Sequence, residues 1–155
     1  MPNDFEIGLS QIFSTVSAIV AVSDFAANRL RERFSDTASR VHRIYNGIDC
    51  DNFQPAEPSP PALILSIGRL ISKKGFDVLI DACASLRNSG QEFRCEIIGD
   101  GPLSVELQAR IDRYGLGKQV LLAGPRSQAE IAARLGRATL LVLPCLLAHR
   151  CVVAR

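Results

Sequence analysis

The sequence has no tryptophan, few aromatic residues and no hydrophobic run long enough to cross a membrane. Its longest apolar stretches run from Val16 to Val22 and from Leu140 to Ala148, and Pro144 interrupts the second. Both are much shorter than the about 20 residues that span a bilayer, so no transmembrane helix is expected. The first residues include Asp4 and Glu6, where a secretory signal peptide carries positive charge. A cytoplasmic location is therefore the expectation.

Metal-binding and disulfide patterns are also missing. No two cysteines have the C-x-x-C spacing, and no histidine is spaced to complete a zinc site. His42 and His149 have no evident serine, cysteine or carboxylate partner, which favours a surface or packing role for both. An odd number of cysteines indicates reduced thiols, most of them in the core: Cys50, Cys83, Cys95, Cys145 and Cys151.

The charge balance argues against a nucleic-acid partner. The formal net charge of the 155 residues is only +2, and it is unevenly distributed. Residues 1–60 hold five basic and eight acidic side chains, whereas residues 61–155 hold thirteen basic and eight acidic ones. The positive second part suits an anionic ligand, although surface arginines without a role would give the same excess.

A proline cluster divides the chain into two parts. Four of the eight prolines fall between residues 55 and 61, where they favour an extended linker. Before this linker, Ser17–Val22 predicts a buried strand, and Ser23 is suited to cap a following helix. The segment Val41–Tyr45 predicts a short extended piece that leads into a turn at Asn46-Gly47.

After the linker, short aliphatic runs alternate with stretches of helical spacing. This alternation predicts an α/β fold, a Rossmann-like doubly wound parallel sheet built from right-handed crossovers. Pro102 is expected in the first turn of the second helix. The predicted strands are Ala62–Ile67, Phe93–Ile98, Val120–Ala123 and Thr139–Leu143, and the predicted helices cover 76–88, 103–114 and 127–136.

The loop from Gly68 to Gly75 is the first candidate for a binding site. Ligands of such sheets bind beyond the carboxyl ends of the strands, and this loop follows the first predicted strand. It places the guanidinium of Arg69 and the ammonium of Lys74 five residues apart, with a glycine at each end. An anion could lie between the two cations. The alternative is a solvated loop with two ordinary charges.

Two other motifs fall short of known signatures. Gly99-Asp100-Gly101 fails as a dinucleotide fingerprint, because Ser104 stands where the third glycine would be. It is interpreted as an ordinary turn between a strand and a helix. Asp49-Cys50-Asp51 matches the short D-x-D pattern of some metal-dependent sugar transferases, but without further carboxylates its residues are interpreted as turn residues.

Four segments, spread over residues 16–144, together resemble motifs of one enzyme family. They are Val22-Ser23-Asp24 before a helix; V-H-R-I-Y-N-G-I-D at 41–49 with Phe53 and Pro55; Gly68-Arg69-Leu70 with Lys74-Gly75-Phe76; and Gly99-Asp100-Gly101-Pro102 with Gly124-Pro125 and Leu143-Pro144. In this order and spacing the chain resembles the retaining glycosyltransferases with two Rossmann-like domains (GT-B), family 4.

The resemblance implies a nucleotide-diphosphate-sugar donor and an acceptor that is a glycan, a lipid or a small molecule. Arg69 and Lys74 would hold the diphosphate and stabilise the charge that develops on it as the glycosidic bond breaks, without a metal or other cofactor. Gly68 would let the loop approach the donor closely. Arg126, in the loop after the third strand, would contact the nucleotide.

The resemblance also implies how the chain is organised. Residues 1–54 resemble the trailing strand and helix of an acceptor-side domain plus an interdomain segment, 55–61 the linker, and 62–144 an incomplete nucleotide-sugar-binding domain. Residues 145–155 form an atypical tail without the glutamates of the family's E-x7-E segment. A truncated or frameshifted fragment, inactive by itself, is the expectation.

One alternative stays open, and a second is disfavoured. The chain could be a non-catalytic nucleotide-binding module that pairs with a partner chain carrying the acceptor domain, or that contacts a membrane surface. An unrelated doubly wound domain, such as a receiver-like domain, would require an acidic cluster at the strand ends, and the sequence has none there.

Overall fold

The computed structural model describes residues 4–57, 60–147 and 150–151; His149 therefore lies outside the described residues. The chain divides into two compact units, Met1–Ile48 and Asp49–Arg155. The finer boundaries at residues 54, 61 and 144 stay predictions. Among the described residues, no helix combines the length and the apolar character needed to cross a membrane.

The first unit combines a two-stranded parallel sheet with helices. Strand β1 pairs with β2 from Ile19↔Val41 to Ala21↔Arg43. Ser23 caps α2 as predicted, and its hydroxyl accepts a hydrogen bond from Ala26 N at 3.1 Å. The elements are α1 (Asp4–Thr15), β1 (Ile19–Ala21), α2 (Asp24–Arg33), a 3-10 helix (Ser35–Arg40) and β2 (Val41–Arg43).

The structure corrects one expectation for this unit and adds a helix that was not predicted. Strand β1 has only three residues, and Val20 and Val22 are 57% and 53% exposed, so Ser17–Val22 is not a buried strand. Its side chains alternate because only one face of the two-stranded sheet packs against a core. Helix α1, which the sequence did not reveal, packs through Phe13, whose ring meets Phe34 edge-on at 4.9 Å between centroids.

The second unit contains the predicted doubly wound sheet, which is confirmed. Four parallel strands lie in the order β5-β4-β3-β6. A separate antiparallel pair, β7 and β8, follows. The elements are β3 (Ala62–Ile67), α3 (Phe76–Asn88), β4 (Phe93–Ile98), α4 (Ser104–Arg113), β5 (Val120–Gly124), α5 (Gln128–Arg137), β6 (Leu140–Leu141), β7 (Leu146–Leu147) and β8 (Arg150–Cys151).

Helices cover both faces of this sheet. On one face α3 and α4 bury Ile80 and Ile111 against Ile97 of β4. On the other face α5 packs Ile131 and Leu135 against a different set of strand residues, which includes Leu65 and Ile98. Because successive side chains of a strand point to opposite faces, the near-continuous aliphatic runs of the sequence are what two covered faces require.

Some boundaries differ from the sequence-based expectation. Helix α4 begins at Ser104, so Pro102 precedes it instead of standing in its first turn. The backbone before this helix contacts the neighbouring loop instead, because Leu103 N donates to Leu70 O at 3.2 Å. Strand β6 has two residues, although hydrogen bonds from Thr139 N to Leu63 O and from Val142 N to Leu65 O extend its pairing with β3.

The cysteines are less uniformly buried than expected. Cys83 and Cys95 lie in the core, whereas Cys50 is exposed and Cys145 is half-buried. The four cysteines whose side chains the structure describes carry reduced thiols, as predicted, but only two of them belong to the core.

Candidate functional site

The strand order places a topological switch point between β3 and β6. From β3 the chain moves through α3, β4 and α4 to β5, and then returns through α5 to pair β6 with the opposite edge of β3. The connection that follows β3, through α3, therefore lies on one face of the sheet, and the connection that leads into β6, through α5, lies on the other face. Doubly wound proteins bind ligands at such a switch point, beyond the carboxyl ends of the strands. Here those ends lead into Gly68 and Val142.

Two glycine-containing loops are joined at this edge. Gly68 N donates to Ile98 O and Leu70 N donates to Asp100 O, both at 2.9 Å. Gly99 has φ of 145°, and a Cβ at this residue would overlap with the carbonyl oxygen of Gly68. A Cβ at Gly101 would overlap with the backbone of Leu70. The glycines are therefore required for backbone contact between the loops, which the interpretation as an ordinary turn missed.

Lys74 crosses the first of these loops. A 3-10 helix, Ser72–Lys74, leads to Gly75 and into α3. A Cβ at Gly68 would lie 3.7 Å from both Cδ and Cε of Lys74, so the lysine stem passes directly over Gly68. Its ammonium donates to the sulfur of Cys145 at 3.7 Å. The structure thus brings Gly68 and Lys74 together, as the candidate site requires.

Arg69 contributes a second cation to the same loop. Its side chain is exposed, and within the described parts of the chain no hydrogen bond or ion pair engages its guanidinium. The next residue, Leu70, is 2% exposed and belongs to the core. The backbone at Arg69 is therefore anchored while its charge stays available to a ligand.

Arg126 lies apart from this pair. It follows β5, which is separated from β3 by β4, or by about 10 Å at the usual strand spacing. Its Nε lies 3.7 Å from Oε1 of Glu130 and its guanidinium donates to Pro125 O at 3.1 Å. Glu130 completes a capping box with Ser127, whose backbone N–H and hydroxyl hold the pKa of Glu130 below its usual value. A binding role for Arg126 stays a prediction.

The remaining sequence candidates have structural roles or stand alone. Asp49 accepts a hydrogen bond from Asp51 N at 3.2 Å and caps the 3-10 helix Cys50–Asn52, as expected for turn residues. In the part of the chain that the structure describes, no three His, Cys, Asp or Glu side chains are grouped to hold a metal. His42 lies exposed on β2.

A polar cluster at the strand ends of the first unit was not foreseen. Asp24 accepts a hydrogen bond from Tyr45 Oη at 2.6 Å and pairs with Arg43 Nε at 2.9 Å. The Arg43 guanidinium lies 4.0 Å from the centre of the Tyr45 ring. The hydrogen bond to Asp24 raises the pKa of Tyr45. The parallel pairing of β1 and β2 is the signal that could have placed these residues together.

Comparison with known proteins identifies the family. The family model described as Glycosyl transferases group 1 matches residues 48–154, and the one described as Glycosyltransferase Family 4 matches residues 4–52. This chain belongs to the group 1 glycosyl transferases. The two matches to this group 1 chain meet close to the division between its compact units.

The relatives of this group 1 glycosyltransferase are much longer. WcaL of Escherichia coli, a colanic acid biosynthesis glycosyltransferase, is 31% identical over 145 residues, which are 92% of this chain and 36% of WcaL. The chain spans about a third of the length of the curated relatives it matches. The motif resemblance to GT-B family 4 is confirmed.

Solved structures show the same fold. A glycosyltransferase from Rickettsia africae superposes with a TM-score of 0.72 at 24% identity, over 94% of this group 1 chain and 42% of that one. Staphylococcus aureus TarM, solved with UDP, superposes with a TM-score of 0.74 at 17% identity, over 92% of this chain and 28% of that one. The fold is therefore that of GT-B glycosyltransferases.

Proposed function

We propose that this glycosyltransferase chain binds a nucleotide-diphosphate-sugar donor at the switch point, with the diphosphate between Arg69 and Lys74. The observation that carries the proposal is the loop Gly68–Gly75. It presents one unengaged guanidinium and one ammonium that lies over a residue without a side chain. The UDP in the TarM structure supports a nucleoside diphosphate as the ligand class.

The chemistry of sugar transfer suits this arrangement. When the bond between the sugar and the diphosphate breaks, negative charge grows on the leaving phosphate oxygens. Cations fixed in advance stabilise that charge at no cost in reorganisation. The planar fork of Arg69 can contact two oxygens, whereas Lys74 supplies a point charge. The two side chains would do so without a divalent metal.

The nucleotide would extend along the sheet edge towards β5. Gly99 N donates to Gly124 O at 3.0 Å, so the loops after β3, β4 and β5 form a continuous edge. Arg126 lies at the far end of it and would contact the nucleoside. Its contacts with Glu130 and Pro125 make it a weaker contributor than Arg69 or Lys74. The acceptor we favour is a glycan; WcaL is named as a glycosyltransferase of colanic acid biosynthesis.

A ligand titration tests the donor site. UDP, GDP, ADP and inorganic pyrophosphate are each added while the melting temperature is followed. A ligand at one hundred times its Kd stabilises the folded chain by about 2.7 kcal/mol. Arg69→Ala and Lys74→Ala should each weaken binding about tenfold or more, because each removes a charge-assisted hydrogen bond.

Lys73→Ala is the matched control. Lys73 is an exposed lysine in the same 3-10 helix, so its substitution changes the net charge by the same amount as Lys74→Ala. It should leave the affinity nearly unchanged. Two results would contradict the proposal: no ligand raises the melting temperature, or Lys73→Ala weakens binding as much as Lys74→Ala does.

A further inference from the structure

Cys145 lies in the proposed donor site although no motif pointed to it. It follows Pro144 at the exit of β6, the strand next to β3. Its sulfur lies 3.7 Å from Nζ of Lys74. We propose that Cys145 is a positioning residue: its thiol accepts one of the three N–H groups of the Lys74 ammonium and holds it over Gly68, which leaves the other two for the phosphate oxygens of the donor. This inference rests on the proposed function of Lys74.

The geometry of this contact is fixed by the backbone. Gly75 adopts φ of 64°, and a Cβ at Gly75 would lie 2.9 Å from Pro144 O and 3.1 Å from Cγ of Leu146. The segment carrying Cys145 therefore packs against the residue that follows Lys74. On the N-terminal side of Cys145, Ser66 Oγ of β3 donates to Val142 O at 2.7 Å. These contacts fix the backbone on both sides of Cys145, so the backbone itself places the thiol next to the Lys74 ammonium.

A thiol is a suitable partner for a lysine that must also bind a phosphate. Sulfur is a weak acceptor of hydrogen bonds, so the contact limits the freedom of a flexible lysine without neutralising its charge. Phosphate oxygens make charge-assisted hydrogen bonds that are about twice as strong as neutral ones. The remaining donors of the ammonium therefore bind phosphate at nearly full strength, while the sulfur keeps the ammonium in place. A carboxylate at residue 145 would instead form an ion pair with Lys74 and compete with the ligand.

The test measures pyrophosphate and UDP affinity for variants of residue 145. We expect Cys145→Ala to weaken binding about threefold, because a lysine without its partner has more rotamer freedom to lose. Cys145→Ser should restore most of the affinity, since a hydroxyl also accepts a hydrogen bond. Cys145→Asp should weaken binding about tenfold or more through the competing ion pair. Cys50→Ala, at an exposed cysteine of the same unit, is the control.

Each variant is also measured with Lys74→Ala. If Cys145 acts through Lys74, the substitutions at residue 145 lose their effect on affinity in that background. Equal effects with and without Lys74 would overturn the inference, whereas the proposed donor site would stand as long as Lys74→Ala itself weakens binding. If Lys74→Ala leaves affinity unchanged, the proposed function fails and this inference fails with it.

Alkylation of the unaltered chain gives a second measurement that does not depend on a variant folding. Iodoacetamide labelling is followed at each cysteine by peptide mass spectrometry, with and without saturating UDP. Bound phosphate next to Lys74 should slow labelling at Cys145 and leave Cys50 unchanged. An unchanged rate at Cys145, in a sample that UDP stabilises against heating, would overturn the inference.

Discussion

Each of the two compact units is stabilised by a different kind of interaction. In the second unit a four-stranded sheet has an apolar core on each face. Among the described side chains of the first unit, the buried apolar cluster has four members, Ile19, Ala21, Ala27 and Val41, while Phe25, Val20 and Ile44 are largely exposed. Arginine side chains supplement this small core. Arg40 donates to the carbonyls of Ser14 and Val16, and Arg31 donates to Val41 O at 2.8 Å.

This difference bears on where we propose the donor site. The proposed stabilisation of a leaving diphosphate needs charges held in fixed positions, and the second unit supplies a well-packed frame for the loop that carries Arg69 and Lys74. The polar contacts of the first unit are each modest in net energy. We therefore expect the second unit to respond most strongly to changes in packing and the first unit to changes in hydrogen bonding. The chain's two tyrosines, Tyr45 and Tyr114, lie in different units and it has no tryptophan, so tyrosine fluorescence can report on each unit separately.

Gly99→Ala should have the largest effect. Its Cβ would overlap with the Gly68 carbonyl at a φ of 145°, so the two loops must separate. The free energy of unfolding of the second unit should fall by about 4 kcal/mol, since backbone strain and overpacking each cost on the order of 1–3 kcal/mol. Urea unfolding of a Tyr45→Phe variant, followed by Tyr114 fluorescence, measures it.

Gly117→Ala provides the comparison for this substitution, because a Cβ there meets nothing within 4 Å. It should change the stability of the second unit little. Similar losses for the two variants would show that the close approach of the loops does not carry the stability of this edge.

Arg40→Ala should have the next largest effect, and on the first unit alone. The change removes two hydrogen bonds from a charged donor to backbone carbonyls. We expect a loss of about 2 kcal/mol in the unfolding free energy of this unit, measured through Tyr45 fluorescence in a Tyr114→Phe variant. Arg29→Ala is the control, because the exposed Arg29 makes no hydrogen bond or ion pair with the described residues. A loss of the same size for Arg29→Ala would contradict the role given to the carbonyl contacts.

The same contrast explains what the sequence could predict. In the second unit, aliphatic runs alternate with stretches of helical spacing, and this pattern predicts the strands and helices. Because both faces of the sheet are buried, almost every strand residue is apolar and marks the strand in the sequence. Helix α1 was missed although Phe5, Leu9, Ile12 and Phe13 recur at helical spacing, whereas its contact through Phe13 with Phe34 is a tertiary one. The contact of Lys74 with Cys145 and the need for glycine at Gly99 join residues far apart in the chain. Both required the strand order, which the sequence alone did not provide.

Asp81→Asn should have a smaller effect and one that depends on pH. Asp81 accepts hydrogen bonds from Arg110 Nε at 2.8 Å and from a second guanidinium nitrogen at 2.6 Å, which joins α3 to α4. The Arg110 hydrogen bonds hold the pKa of Asp81 below its usual value. Because the carboxyl is 42% exposed, solvent screening limits the loss at neutral pH to less than about 1 kcal/mol.

The direction of the pH dependence follows from the lowered pKa. The stabilisation is present above the unfolded-state pKa of an aspartate, about 3.9, and is lost as the pH falls through the lower folded-state value. The difference in unfolding free energy between the original chain and Asp81→Asn should therefore shrink below about pH 4. A difference that stays constant through acid pH would show that the carboxylate charge is not what Arg110 recognises.

The smallest effect concerns Tyr45 and shows whether polar contacts in the first unit are formed in solution. The hydrogen bond from Tyr45 to Asp24 raises the pKa of Tyr45. The stabilisation by this hydrogen bond is therefore present below the usual tyrosine pKa, about 10, and is lost as the pH rises through the folded-state value.

In a Tyr114→Phe chain, ultraviolet absorbance of the phenolate follows Tyr45 alone. Asp24→Asn should lower its midpoint, because the anionic acceptor is gone. Asp36→Asn, at an exposed acid of the same unit, should leave it unchanged. Equal midpoints for both variants would mean that the exposed face of this unit is not organised by Asp24, and its stability would then rest on the arginine-to-carbonyl contacts and the small apolar core.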